Sequence, residues 1–282
     1  MRKVIIPTDF SENALNAIKY AVELLKYERG EFHIVHAYAE KVYENEEVVS
    51  RAILDEVRKV EHEQSKEKLG NIKSELQHIS PNPNHNYFYT ATFGILVDVV
   101  NDLVEDINAD LVIMGTRGLT NDRQITFGSN TMQIMKYVRC PVLSIPEGHS
   151  YTAPKWVVFP TDFMLPYKRR ELKLLYTMVA SYRSLITLLY FSENQQLSFR
   201  QQDNKKFIEE AFKNVELEYV TQPSDDITAG INHYLQNQSV DLLVMVNSRH
   251  SYLENILFQS TIDKIGLQIQ KPFLVMQNLN RD

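Results

Sequence analysis

The chain has 282 residues, 44% of them hydrophobic and 23% charged, with a formal net charge of −6. That balance suits folded domains with sizeable cores and gives no electrostatic reason to expect nucleic acid or anionic lipid as a partner. No apolar run reaches the ~18 residues of a membrane span, no leader pattern precedes the first strand, and a single cysteine, Cys140, excludes an intrachain disulfide framework, so a reducing cytoplasm is the expected location.

In chain order, Lys3 to Pro7 reads as a strand, and Ser11 as the N-cap of a helix. That helix sets Ala14, Leu15, Ile18, Ala21, Val22 and Leu25 on one face and ends near Gly30. Phe32 to Tyr38 is a second strand. A polar helical region follows from about Glu44 to His78, until Pro81 and Pro83 break it. Tyr87 to Ala91 is the third strand, and Leu96, Val99, Val100, Leu103, Val104 and Ile107 form the stripe of the next helix. Leu111 to Met114 is a fourth, wholly apolar strand. A glycine-bearing loop follows, then a helix with Met132, Met135 and Val138 at helical spacing, then a fifth strand from Val142 to Ile145. Strands alternating with helices imply a parallel sheet with right-handed crossovers, covered on both faces.

Pro146 to Lys155 reads as a linker, after which the order repeats. Strands are expected near Trp156 to Pro160, Leu185 to Phe191, Leu217 to Thr221, Leu242 to Val246 and Phe273 to Met276. Helices are expected near Pro166 to Tyr182, Gln195 to Phe212, Asp225 to Gln238 and Ser260 to Gln270. The two halves share residues outright: VIIPTDF (Val4 to Phe10) matches VVFPTDF (Val157 to Phe163), and DLVIM (Asp110 to Met114) matches DLLVM (Asp241 to Met245). From there they align without a gap through Phe127 with Phe258, Ser129 with Ser260 and Pro141 with Pro272. Internal repetition of this kind sets the architecture, and about 150 residues per domain agrees with two.

Only nine glycines occur in the chain, yet three surround one loop. Two residues separate Gly115 from Gly118, and nine separate Gly118 from the Gly128-Ser129 pair. A strand, a glycine loop and a helix start form the physical recipe for a phosphate site, because the first N–H groups of a helix lack internal partners and carry the positive end of its dipole. Gly115 keeps a side chain out of the crevice, Gly118 lets the loop turn, and Gly128 lets a phosphate approach the helix.

This spacing, with the flanking Asp110 to Pro146 and the opening VIIPTDFSENALNAIKYA, resembles the universal stress protein family. Nearly the whole chain is similar to two tandem copies of that family's domain, 1–146 and 155–282. The resemblance implies two five-stranded parallel-sheet α/β domains of the adenine-nucleotide α-hydrolase-like, Rossmann-like type, with strand order 3-2-1-4-5. Ligands of open parallel sheets bind outside the carboxyl ends of strands where strand order reverses. Here that places Pro7, Thr8 and Asp9 opposite Met114 and Gly115. By resemblance, Gly115, Gly118, Gly128, Ser129, Asn130 and Thr131 hold phosphates and ribose. Asp9 then lies at the adenosine end with Pro7 and Thr8, and Ala37 touches the base through its backbone. ATP is the implied ligand, with AMP or ADP as alternatives and Mg2+ as an open companion. Arg117 and Arg123 either meet phosphate oxygens or are solvated.

In the second copy Gly115 becomes Val246, Gly118 becomes Arg249 and Gly128 becomes Gln259, leaving Ser260. That copy is expected to have lost the site, although Arg249 and His250 could serve another anion. Other motifs point nowhere. His33 and His36, in HIVH, lie inside a strand and read as core or rim residues. Cys140 reads as a packed thiol, and no phosphate-loop or dinucleotide fingerprint is present. The charged run from Glu47 to Leu69 is a solvated helix face or a partner surface. The implied function is a regulatory nucleotide-binding module with unknown protein partners. A slow ATPase or phosphotransferase and a chaperone-like scaffold are the competing readings. Family members pair their fifth strands across a dimer, which implies an intrachain pseudo-dimer of the two halves, with a higher homo-oligomer open.

Overall fold

The structure, a computed structural model, describes residues 1–45, 50–118, 127–193, 196–224, 226–248, 251–253 and 269–278. Arg123, Arg249, His250, Gln259 and Ser260 lie outside these, as does nearly all of the helix expected over 260–270. The described residues fall in two compact units, within residues 1–151 and 152–282.

The first unit is an all-parallel sheet of β1 (Arg2–Pro7), β2 (Gly30–Ala37), β3 (His85–Thr92), β4 (Leu111–Gly115) and β5 (Val142–Ile145), in order 3-2-1-4-5. Its central strands are apolar along their length because both faces are covered. Val4, Ile5, Ile6, Leu111, Val112 and Ile113 are fully buried, each contributing about 1.5–3 kcal/mol of hydrophobic burial. Right-handed crossovers carry the chain one way from β1 through β3, then back across the sheet to β4. The strand order therefore reverses between β1 and β4, where Val4 pairs with Leu111 and Ile5 with Val112.

Helix α1 (Glu12–Leu24) starts where Ser11 Oγ accepts the Ala14 N–H at 3.1 Å. It stops short of Gly30, which opens β2 instead; a Cβ there would lie 2.8 Å from the Phe32 ring. A short helix, α2 (Ala39–Tyr43), precedes the long polar region, whose helix, α3 (Arg51–Ile79), begins later than the expected Glu44, at Ser50, which caps it by accepting the Ile53 N–H. Along 29 residues α3 buries only Ser65, Leu69, Ile72 and Leu76. Helix α4 (Leu96–Ile107) ends at a left-handed Asn108, and α5 (Ser129–Tyr137) precedes β5.

The second unit repeats the sheet with β6 (Trp156–Pro160), β7 (Leu185–Phe191), β8 (Glu216–Gln222), β9 (Leu242–Asn247) and β10 (Phe273–Gln277), in order 10-9-6-7-8. Its helices are α6 (Arg169–Val179), α7 (Phe199–Ala211, with a Ser198–Gln201 capping box) and α8 (Ile227–Asn237, capped by Asp226). The shared DLVIM and DLLVM motifs have a structural cause. Asp110 Oδ2 accepts the Lys3 N–H at 2.9 Å and Asp241 Oδ2 accepts the Trp156 N–H at 3.0 Å, so each carboxylate ties the start of the first strand of its unit to the fourth.

Helix α6 corrects the expectation of a helix from Pro166. It begins at Arg169, and a single 3-10 turn (Ala180–Tyr182) completes its end. The counterpart of Ser11 is Met164, which cannot cap, and Pro166 holds the residue before it away from helical geometry. Among the described residues no helix is long and apolar enough to cross a membrane.

Candidate functional site

The crevice of the first unit begins with the turn after β1. Thr8 N–H continues the sheet by donating to the Val35 carbonyl at 2.9 Å. Its hydroxyl then accepts the Phe10 N–H at 3.1 Å, and Asp9 Oδ1 accepts the Ser11 N–H at 3.0 Å. These bonds hold Phe10 at a φ of 66°, a left-handed conformation that side chains rarely adopt. The second unit builds the same turn: Thr161 Oγ1 accepts from Phe163 N–H, Asp162 Oδ1 accepts from Met164 N–H, and Phe163 has a φ of 58°. The repeated PTDF sequence is thus a turn device first, whatever else Asp9 does.

His36, on β2, locks the turn from the side. Its Nδ1–H donates to the Thr8 carbonyl at 2.7 Å and its ring lies 4.4 Å from that of Phe10. Burial lowers its pKa below the ordinary 6.5, against the opposing pull of the Thr8 hydrogen bond and of Asp9. His33, on the opposite face, stacks on Phe88 and is lowered chiefly by burial as well. Both are rim histidines.

From the other side of the crevice, β4 ends at Gly115, and Thr116 N–H donates to the Ile145 carbonyl. The Gly128 N–H donates back to the Thr116 carbonyl at 2.8 Å, closing the loop onto itself. Thr131 is buried, and its hydroxyl donates to the Gly115 carbonyl at 3.0 Å, fastening the first turn of α5 to the end of β4. Gly128 is the N-cap of α5, and no side chain caps that helix. Ser129 is exposed and Asn130 half-exposed beside the open helix end.

Each glycine has its own physical reason. A Cβ at Gly115 would lie 2.6 Å from Asn13 Nδ2, and one at Gly118 only 2.5 Å from Asp9 Oδ2. Neither has a positive φ; among the described glycines only Gly148 does. Gly118 is therefore a packing glycine rather than a turning one, and Gly115 leaves room for Asn13 rather than for the crevice. Gly128 differs. Its φ is −66° and a Cβ would meet nothing closer than 3.6 Å among the described residues, none of which demands a glycine there.

The structure thus brings together Pro7, Thr8, Asp9, Met114, Gly115, Gly118, Gly128 and Thr131, with Ala37 ending the neighbouring β2 and Ser129 and Asn130 at the mouth of α5. Glycine spacing does not reveal Asn13 or His36, because both reach the site through side-chain contacts across the fold. Asn13 carried no sequence signal. His36 carried only the HIVH pattern, which reads as core or rim residues of a strand.

In the second unit the equivalent crevice is filled. Phe159, Thr161, Asp162, Tyr167, Val246, Tyr252 and Leu253 line a void of about 10 Å³, the scale of one water. Tyr167 hangs from the irregular segment before α6. It is 8% exposed, hydrogen-bonds the Thr161 hydroxyl, and packs edge-on against Phe159. By strand register Phe191 stands where the first unit has Ala37, as Pro160 pairs with Leu189 where Pro7 pairs with Val35. Burial raises the Asp162 pKa above the ordinary carboxylate value.

An open parallel sheet of order 3-2-1-4-5, with a glycine-lined crevice at its switch point, defines a Rossmann-like α/β protein. The match is more particular than that. The model of the universal stress protein family matches residues 1–146. Universal stress protein MJ0577 of Methanocaldococcus jannaschii is 27% identical over 161 residues, covering 53% of this chain and 97% of that protein. Universal stress protein G of Salmonella typhimurium is 26% identical over 146 residues, covering 51% of this chain and 98% of that protein. The crystal structure of a universal stress protein from Archaeoglobus fulgidus shares the fold, with a TM-score of 0.69 at 15% identity over 98% of this chain and 96% of that one. The chain belongs to the universal stress protein family.

Proposed function

We propose that this protein is a regulatory module that binds one adenine nucleotide per chain in the crevice of its first unit. Each unit is read as one copy of the family's domain, 1–146 and 155–282, the second with its site lost. The observation that carries the reading is Gly128. Among the described residues its glycine is required neither by its backbone angles nor by a neighbour, and it leaves α5 without a side-chain cap at the mouth of the crevice. An uncapped helix start of this kind accepts phosphate. The motif of Gly115, Gly118, Gly128 and Ser129 supports an adenine nucleotide in particular, with Asp9 and Ala37 at the adenosine end.

Occupancy would favour one arrangement of the glycine loop and so alter the surface presented to protein partners. The buried single thiol of Cys140 and the absence of a spanning helix among the described residues support a cytoplasmic location. The test is to denature the purified protein and identify any released nucleotide by mass, then titrate ATP, ADP and AMP by calorimetry. Adenine nucleotide released, or bound in titration, upholds the reading and says which one the protein prefers. No release and no binding of any of the three sinks it.

A further inference from the structure

Asn13 sits in the first turn of α1, 6% exposed, beneath the segment that leaves β4. Its Nδ2–H donates to the Arg117 carbonyl at 3.0 Å. The same amide fills the space that a Cβ on Gly115 would need. Its Oδ1 is buried and has no hydrogen-bond partner. A buried amide oxygen left without a donor is uncommon, because burial removes its water without replacing it. Half of this side chain is therefore committed to the segment after β4, and half is unsatisfied.

The second unit provides an internal control. There the residue equivalent to Asn13 is Pro166, which has no side-chain amide, and the residue equivalent to Gly115 is Val246. The two positions change together. Where no amide must be accommodated, the glycine goes too, and Val246 lines the small void instead.

We infer that Asn13 is the positioning residue that couples nucleotide occupancy to the segment Gly115–Gly118: it holds the Arg117 carbonyl, and its free Oδ1 is the acceptor that the nucleotide-bound arrangement of that segment satisfies. This inference rests on the nucleotide reading above. An arrangement with a buried unsatisfied acceptor lies higher in energy than one that satisfies it, so the bound state gains a hydrogen bond that the free state lacks. Asn13 touches the phosphate side only. The adenosine end, built on Pro7, Thr8, Asp9 and Ala37, meets the segment through Asp9 beside Gly118, so the loss on that side is expected to be the smaller.

The experiment uses the full chain with Asn13→Leu, of similar size but without hydrogen-bonding atoms. ATP and adenosine are titrated by calorimetry, and amide exchange of residues 115–118 is followed with and without ATP. ATP affinity is expected to fall about ten-fold, the scale of one buried hydrogen bond, with adenosine affinity changed by less than about three-fold. The ATP-induced protection of 115–118 seen in the wild type is expected to vanish. Equal losses for ATP and adenosine, or protection unchanged from wild type, would overturn the inference. Should Asn13→Leu melt well below the wild type, Asn13→Ala decides by the same criteria, because it removes the amide without adding bulk or charge. A wild type that binds neither ligand sinks the nucleotide reading itself. In that case unchanged exchange of 115–118 in Asn13→Leu sinks the positioning role, and faster exchange upholds it.

Discussion

Asp9 and Gly118 are in direct contact, so close that a Cβ on Gly118 would lie 2.5 Å from Asp9 Oδ2. The other carboxylate oxygen accepts the Ser11 N–H that begins α1. The loop after β4 therefore rests on the same side chain that shapes the turn after β1.

That contact separates two glycines that the motif treats alike. Gly118→Ala must displace the Asp9 carboxylate and strain its bond to Ser11, at about 1–3 kcal/mol of stability, and both melting temperature and ATP affinity are expected to fall. Gly128→Gln meets no steric obstacle at its Cβ among the described residues and is expected to cost less than about 1 kcal/mol. It nevertheless places a side chain at the open end of α5. Each lost hydrogen bond to phosphate is worth about 1.5–3 kcal/mol, so binding should drop at least ten-fold with the fold intact. Thermal melts and calorimetry on both variants check this; the expectation fails if Gly128→Gln binds ATP as the wild type does.

Apolar runs bounded by proline and polar residues were legible in the sequence: β5, β6 and β7 occupy the expected Val142–Ile145, Trp156–Pro160 and Leu185–Phe191. Burial on both faces leaves such runs no other period to follow. The start of α1 was legible at its cap Ser11 and that of α4 from its apolar stripe at Leu96, whereas α3, α6 and α7 begin later than expected, α3 and α7 at Ser50 and Ser198 caps that the polar runs before them hid. The glycines were found, but the reasons for Gly115 and Gly118 were not, because Asn13 and Asp9 lie more than a hundred residues away in sequence. Filling of the second crevice was expected from Val246. The structure adds Tyr167 and Tyr252, which no glycine alignment addresses.

His36 gives the fold a pH dependence. Burial lowers its pKa in the folded state below the ordinary 6.5, so the unfolded chain binds a proton more readily than the folded one. Stability is then complete above about 6.5 and falls as pH drops through the window down to the folded pKa. His36→Gln keeps an N–H donor for the Thr8 carbonyl and removes the titration. Its melting temperature should decline less than that of the wild type between about pH 7.5 and 5.5. Equal declines would show that His36 does not contribute.

Hydrolysis is expected to be slow at most. In-line attack on a terminal phosphoryl needs an oriented water or acceptor and added positive charge at the transferring group. Asp9, the carboxylate closest to the glycine loop among the described motif residues, has one oxygen on Ser11 N–H and the other against Gly118. A phosphate-release assay should give turnover far below about 1 per second. A faster rate that disappears in Gly128→Gln would instead make the protein an ATPase.

Stoichiometry follows from comparing the two units, which share one scaffold. Both have the PTDF turn, the left-handed phenylalanine and the fourth strand ending beside the first. What differs is the filling. The second crevice holds a void of about 10 Å³, far too small for a nucleotide, because Tyr167 enters it from the irregular segment before α6 and Val246, Tyr252 and Leu253 close round it. Calorimetry on the full chain is therefore expected to give one nucleotide per chain. Tyr167→Ala should open a cavity costing about 3–5 kcal/mol, without adding a second equivalent, since Val246 and Tyr252 remain. Two equivalent sites in the wild type, or a new site in Tyr167→Ala, would show that the second unit keeps a binding geometry that its side chains only mask.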